Sequence, residues 1–214
     1  MPLQNRVNPL GTIFWTQARG TMMGNRGGAL HNNEREIVRA YKSWRWITCV
    51  LEFTGRYRIV MSPNRYTELF FLDEAVAFAA GHRPCAECRR ERYNAFRRAW
   101  QSAHRQRWPS ICRRNRCGDA TRENRQSAAV CSLPDGCFVQ VDGSSYLVWD
   151  DALLLWTPTG YTRRETLGRS SREGTDAGTC CGLFSPRLQA RSSRLLALSL
   201  KPFRPRFPTA CCHV

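Results

Sequence analysis

The sequence predicts an α+β fold: a small antiparallel sheet, two helices, a second hairpin and an unstructured C-terminal tail. Three observations carry this. Runs rich in β-branched and aromatic residues cluster between residues 46 and 72. A capped Ala-rich segment and then an amphipathic one follow up to residue 104. Asp142-Gly143 separates two more β-rich runs, which is a strong two-residue hairpin signal.

Each element has a local reason. The glycine-rich stretch 20–28 has no period and reads as a loop needing positive φ angles or close backbone approach. Ile37, Val38 and Tyr41 are spaced for one face of a short helix over 34–43. Residues 46–53 and 56–61 flank Thr54-Gly55 and read as a hairpin, with a third strand at 66–72. Asp73 stands where an N-cap belongs, before a helix at 73–80 that Gly81 closes. A longer helix is expected at 86–104, with Tyr93, Phe96 and Trp100 on one apolar stripe packed against the sheet. A hairpin joins 136–141 to 145–149, and 152–156 adds a strand. Beyond residue 168 regular patterning stops.

At 214 residues and 42% hydrophobic, the chain has enough apolar material for a core. No apolar run is long enough to span a bilayer, and the first 20 residues lack the apolar centre of a signal peptide. The expected location is a reducing cytoplasm, where eleven cysteines point to metal ligands or free thiols before disulfides. The formal charge is +16 and is uneven. Residues 89–125 hold 12 arginines against Glu91, Asp119 and Glu123. Such a block reads either as the footprint of a polyanion partner or as the arginine bias of a GC-rich genome. Arg90, Arg97 and Arg98, on the second helix but off its apolar stripe, with Arg105 and Arg107 just beyond, are the candidate contacts to nucleic acid, most naturally DNA at low specificity.

The sharpest local feature is Cys85-Ala86-Glu87-Cys88 between the two helices. A C-x-x-C turn brings two sulfurs to one side of a knuckle and supplies half of a tetrahedral zinc site. Buried free thiols and a redox pair are the other readings, the latter needing a thioredoxin-like frame that the pattern lacks. Upstream, Cys49 on a strand and His31 after the glycine-rich loop are candidates for the remaining ligands, so the expected set is Cys85, Cys88, Cys49 and His31 around one Zn²⁺. An ordinary core residue is the alternative for Cys49, and an exposed loop histidine for His31. His82 reads as a capping or surface residue. Cys112, Cys117, Cys131 and Cys137 offer a weaker second metal site.

The string Phe71 to Cys88, ending in Gly81-His82-Arg83-Pro84-Cys85-Ala86-Glu87-Cys88, resembles the Ada-type metal-binding domain, whose pattern is a strand, a short Ala-rich helix and G-x-R-P-C-x-x-C. Met23-Gly24-Asn25 is similar to the opening of many such modules, and residues 18–90 resemble a wider bacterial protein group. The resemblance implies that Cys85 and Cys88 are one pair of zinc ligands. The first cysteine pair of that family, which includes its methyl acceptor, has no counterpart here; only His31 and Cys49 stand in that part of the chain. The expected organisation is an Ada-like zinc domain over 1–104, a basic connector over 105–130, a small β-hairpin unit over 131–168 and an irregular tail over 169–214. The expected function is a non-enzymatic zinc module that contacts nucleic acid non-specifically. The alternatives are a zinc-thiolate alkyl acceptor for methylated DNA phosphates, a structural-zinc protein-interaction domain, and a zinc hydrolase using His31 and Glu34.

Overall fold

The computed structural model describes residues 1–57, 59–103, 125–126, 133–166 and 189–191. In chain order the elements are β1 (Gln4–Val7), β2 (Ile13–Trp15), β3 (Met22–Arg26), β4 (Trp46–Cys49), β5 (Leu69–Phe71), α1 (Glu74–Ala79), β6 (Arg83–Pro84) and α2 (Arg90–Ala103). Then come β7 (Arg125–Gln126), β8 (Phe138–Val141), β9 (Ser144–Trp149), β10 (Ala152–Thr157), β11 (Gly160–Thr166) and β12 (Gln189–Arg191). They form two six-stranded sheets, ordered β2-β1-β5-β3-β4-β6 and β11-β10-β9-β8-β12-β7. The chain is therefore α+β but mostly β. The first sheet is mixed, because β1 pairs with β5, and β4 with β6, in parallel. Among the described residues no helix is long and apolar enough to cross a membrane.

The expected loop at 20–28 is mostly a central strand. At Gly24 a Cβ would stand 2.4 Å from the Ile47 carbonyl oxygen and 2.7 Å from the Phe71 ring. The glycine therefore answers close packing inside the sheet. The backbone turns at Gly27 and Gly28, where φ is +85° and +153°. Among its described residues, the expected hairpin partner at 56–61 forms no strand: β3 and β6 already occupy both edges of β4. Its turn survives, with positive φ at Thr54 and Gly55 and Arg56 N–H donating to the Phe53 carbonyl at 3.1 Å. The expected helix at 34–43 is also absent. The Asn32 side chain accepts from the Glu36 amide at 2.9 Å, Arg35 has φ 64°, and His31 bridges Ile37 in extended pairing. A short polar side chain competes here for the backbone donors that a helix needs.

The α1 segment follows the sequence closely. Asp73 Oδ1 accepts from the Val76 amide at 2.9 Å, and Gly81 closes the helix at φ 87°. Five of its six residues are buried, so the helix lies in the core and not on it. That core joins Leu69, Phe71 and Val76 to Phe138, Leu147, Leu154 and Tyr161 of the second sheet. Residues 133–166 thus share a core with the first sheet, where the sequence suggested a separate hairpin unit. The expected Asp142-Gly143 turn is present with φ of 46° and 79°, and Asp150-Asp151 repeats the device with 50° and 55°. A further strand, β11, and the tail residues of β12 complete a meander that the pattern had not shown.

The helix expected from residue 86 begins at Arg90. It packs on β6 of the first sheet and on α1. Phe96 stacks on Phe78 with ring centroids 5.8 Å apart, Trp100 is buried, and Tyr93 lies under the Arg83 guanidinium. Glu74 of α1 holds both Arg89 and Arg92 in largely buried ion pairs. Those pairs fix the start of α2, and with it the knuckle.

Burial raises the Asp73 carboxyl from 3.8 to about 6, against the opposing hydrogen bonds from Val76 and the Tyr161 hydroxyl, which donates at 2.8 Å. The folded chain therefore holds this proton more tightly than the unfolded chain. The contribution is complete below about pH 4 and is lost as pH rises through 6. Asp73→Asn keeps a capping oxygen but removes the titration. In denaturant titrations, wild type should gain up to about 3 kcal/mol over this variant between pH 7 and pH 4. A difference independent of pH would contradict the assignment.

Candidate metal centre

The first sheet builds the site. After Gly81 turns the chain out of α1, Arg83 and Pro84 run parallel to Ile47 and Thr48. The Cys85 amide then donates to the Thr48 carbonyl at 2.9 Å, which sets Cys85 beside the end of β4, where Cys49 stands. Arg89 N–H donates to the Cys85 carbonyl at 3.1 Å and leads the chain into α2, with Cys88 in the turn between. The three thiol sulfurs lie within 4.8 Å of one another. Tetrahedral coordination with Zn–S bonds of ~2.3 Å places sulfurs roughly 3.8 Å apart, so the triad is close to a ligand set.

The three thiols perturb one another's protonation. Burial, then the neighbouring Cys85 and Cys88, push the Cys49 thiol far above its ordinary range. Burial works the same way on Cys85. The Cys88 and Glu87 amides, together with hydrogen bonds from the Cys88 and Cys49 thiols, nevertheless bring Cys85 below the ordinary range. Cys88 is raised, first by burial and then by Cys85, although the Val50 amide opposes this. Three thiolates this close repel one another in a half-buried site, and a divalent ion removes that repulsion.

The triad lies in the wall of a cleft of about 370 Å³, also lined by Met23, Ile47, Val50, Leu51, Phe53 and Tyr66. Arg56 and Glu87 line the cleft too and pair with each other at 2.7 Å. The Met23-Gly24-Asn25 string contributes directly. Asn25 Nδ2 donates to the carbonyls of Gly28 and Thr67 at 3.0 and 2.9 Å, and its Oδ1 accepts from the Gly27 amide at 2.7 Å. One side chain thereby fixes the loop that borders the cleft.

His31 is not brought to the cysteines. The Leu30 amide donates to Thr67 Oγ1 at 2.7 Å, and because Nε2 of His31 carries its N–H toward a carbonyl, Nδ1 accepts from the Thr67 hydroxyl at 2.6 Å. The remaining nitrogen, Nε2, donates to the Ser62 carbonyl at 3.1 Å. Both nitrogens are used in holding residues 30–31 to 62–67, and Glu34 is exposed. A buried histidine with two local partners replaces the expected ligand. His82, expected near the surface, is 2% exposed. It packs against Phe71 and Trp46, accepts from Arg26 Nε at 3.3 Å, and is held neutral by burial and by that arginine.

Arg90, Arg97 and Arg98 are exposed on α2, as expected. Arg105 and Arg107 lie outside the described residues, as do Cys112, Cys117 and Cys131 of the weaker second site. Cys137 is buried among Leu133, Val139 and Val148. Phe53, Arg56 and Tyr66, which the sequence pattern placed on strands, instead lie outside the strands and form part of the cleft wall.

Changing Cys49, Cys85 or Cys88 singly to Ser should release the metal, measured by elemental analysis of purified protein. His31→Ala should keep the metal stoichiometry while lowering stability by about 1–3 kcal/mol through the lost Thr67 and Ser62 contacts. Metal loss in His31→Ala protein that remains folded would return histidine to the ligand set.

No family model matches the chain, and no curated protein or solved structure is significantly similar to it.

Proposed function

We propose that this chain is a zinc-binding module in which Cys49, Cys85 and Cys88 hold one Zn²⁺ beside the cleft, and that the arginine face of α2 contacts nucleic-acid phosphates. The observation that carries the reading is the convergence of three sulfurs from two separate segments within 4.8 Å. Thiolate donors favour soft or borderline ions, and zinc is the common occupant of such sets. The likeness of Gly81 to Cys88 to the Ada-type motif supports the same choice. The protein's part is to bring the thiolates together, to lower the proton affinity of Cys85 with amide donors, and to hold the knuckle against α1 through Glu74, Arg89 and Arg92. The metal would neutralise the thiolates and add its binding energy to that of folding.

The nucleic-acid part rests on charge and placement. Arg90 and Arg97 are two helical turns apart on α2, and Arg98 adjoins them, all three exposed. Arg89 and Arg92 are already engaged by Glu74, so the free face is the one presented outward. A guanidinium offers a planar fork to phosphate oxygens and is weakly hydrated. Contact of this kind reads the backbone and not the base sequence.

Mobility-shift titrations with duplex DNA test this reading. Affinity should fall steeply with salt, with a logarithmic slope near ~0.9 per phosphate contact. Changing Arg90, Arg97 and Arg98 together to Ala should reduce the slope by about 2–3. Absence of binding at low salt, or binding indifferent to the triple change, would leave a structural-zinc interaction domain as the better account.

A further inference from the structure

We propose that the cleft beside the triad receives a small thiol with an apolar body, whose sulfur completes the coordination begun by Cys49, Cys85 and Cys88. This rests on the zinc reading above. Among the described residues, the cluster offers three donors and no fourth His, Cys, Asp or Glu joins them. A divalent ion on three thiolates bears a net negative charge and a soft donor set, with one position remaining in a tetrahedral arrangement. Three protein ligands with one remaining position is the pattern of ligand-accepting centres, whereas structural centres are closed by four.

The cleft's lining narrows the class of ligand. Its volume of about 370 Å³ lies within the range of small-molecule sites. Met23, Ile47, Val50, Leu51 and Phe53 give it an apolar wall, and Leu51 is 48% exposed, so covering it removes apolar area from water. Among the described residues Arg56 is the cation of the lining, and it is already paired with Glu87 at 2.7 Å. A phosphate or carboxylate ligand would therefore meet an anionic centre and a cation already in use. The same pair holds the Glu87 carboxylate, the one acidic group among the described lining residues, on the guanidinium. A thiol also binds as an anion, but its sulfur is the soft donor that a thiolate-held ion accepts as a fourth ligand, and it needs no lining cation. It gives up its S–H proton to solvent as the sulfur lone pair forms the bond to the metal, and its apolar body lies on the wall. The Asn25 hydrogen bonds hold the bordering loop in place before any ligand arrives, so little ordering cost falls on binding.

The test uses the full chain loaded with Co²⁺ in place of zinc. It is titrated with 2-phenylethanethiol, 2-mercaptoethanol, imidazole and inorganic phosphate, following the sulfur-to-cobalt charge-transfer and d–d bands. Cobalt retention is checked by gel filtration. The expected result is saturable growth of the charge-transfer band with both thiols, the aromatic one binding about tenfold or more tighter. Phe53→Ala protein that still carries cobalt should lose most of that preference. Several results would overturn the proposal while leaving the zinc reading intact. These are a loaded protein whose spectrum ignores thiols, equal binding of the two thiols, tighter binding of imidazole or phosphate, four-thiolate intensity before any addition, or stripping of cobalt by the thiol. A protein that takes up no cobalt overturns the zinc reading, and this proposal with it.

Discussion

The short parallel pairing of β6 with β4 is the constraint on which the site depends. It consists of two residue pairs, Ile47 with Arg83 and Thr48 with Pro84, continued by the hydrogen bond from the Cys85 amide to the Thr48 carbonyl. Without it, Cys49 and the C-x-x-C turn would be unrelated segments 36 positions apart. So short a ladder is weak by itself. Gly81 supplies the turn that aims it, the buried α1 supplies its upstream anchor, and Glu74 with Arg89 and Arg92 anchors it downstream. The site is therefore positioned by helix packing on both sides of a two-residue strand.

The same arrangement explains the unusual interior of the first sheet. Arg26 is 2% exposed, donates to the Gly11 carbonyl at 2.8 Å, and lies 4.4 Å from the Trp46 ring centroid. Burial brings it down to about 10, so it stays charged at neutral pH. It donates to His82, which lies between Phe71 and Trp46. Next to this, Gly24 lets β3 approach the Ile47 backbone and the Phe71 ring. A polar network and a close backbone contact thus hold β3 and β4 to the chain just upstream of the knuckle. Networks of this kind are costly when incomplete and specify one arrangement when satisfied.

Local chemistry was legible in the sequence. Asp73 as cap, Gly81 as helix stop, the Asp142-Gly143 turn and the C-x-x-C turn all depend on neighbours within a few positions, and each stands where the residue types demand. The helix expected at 34–43 was lost to the local chemistry of Asn32, and the other misreadings share one cause. Glycines 20–28 signal either a turn or a close approach, and only the packing of Phe71 and Ile47 against Gly24 decides between them. Residues 56–61 are suited to a strand, but which segment pairs with β4 is settled by long-range competition, which β6 wins. The placement of Cys49 beside the knuckle was recoverable because the strand assignment was right. His31 was misplaced because a histidine's partners, here Thr67 and Ser62, leave no mark on spacing. The core that both sheets share was hidden for the same reason: the contact of Tyr161 with Asp73 spans 88 positions.

The central claim is that three cysteines from two segments hold one metal ion. X-ray absorption at the zinc edge of the full chain, loaded with one equivalent of zinc, tests it most directly. The account predicts a first shell containing at least three sulfurs at about 2.3 Å, falling by one sulfur in Cys49→Ser protein that retains any zinc. A shell with two or fewer sulfurs in the wild-type chain, or one unchanged by Cys49→Ser, would contradict it.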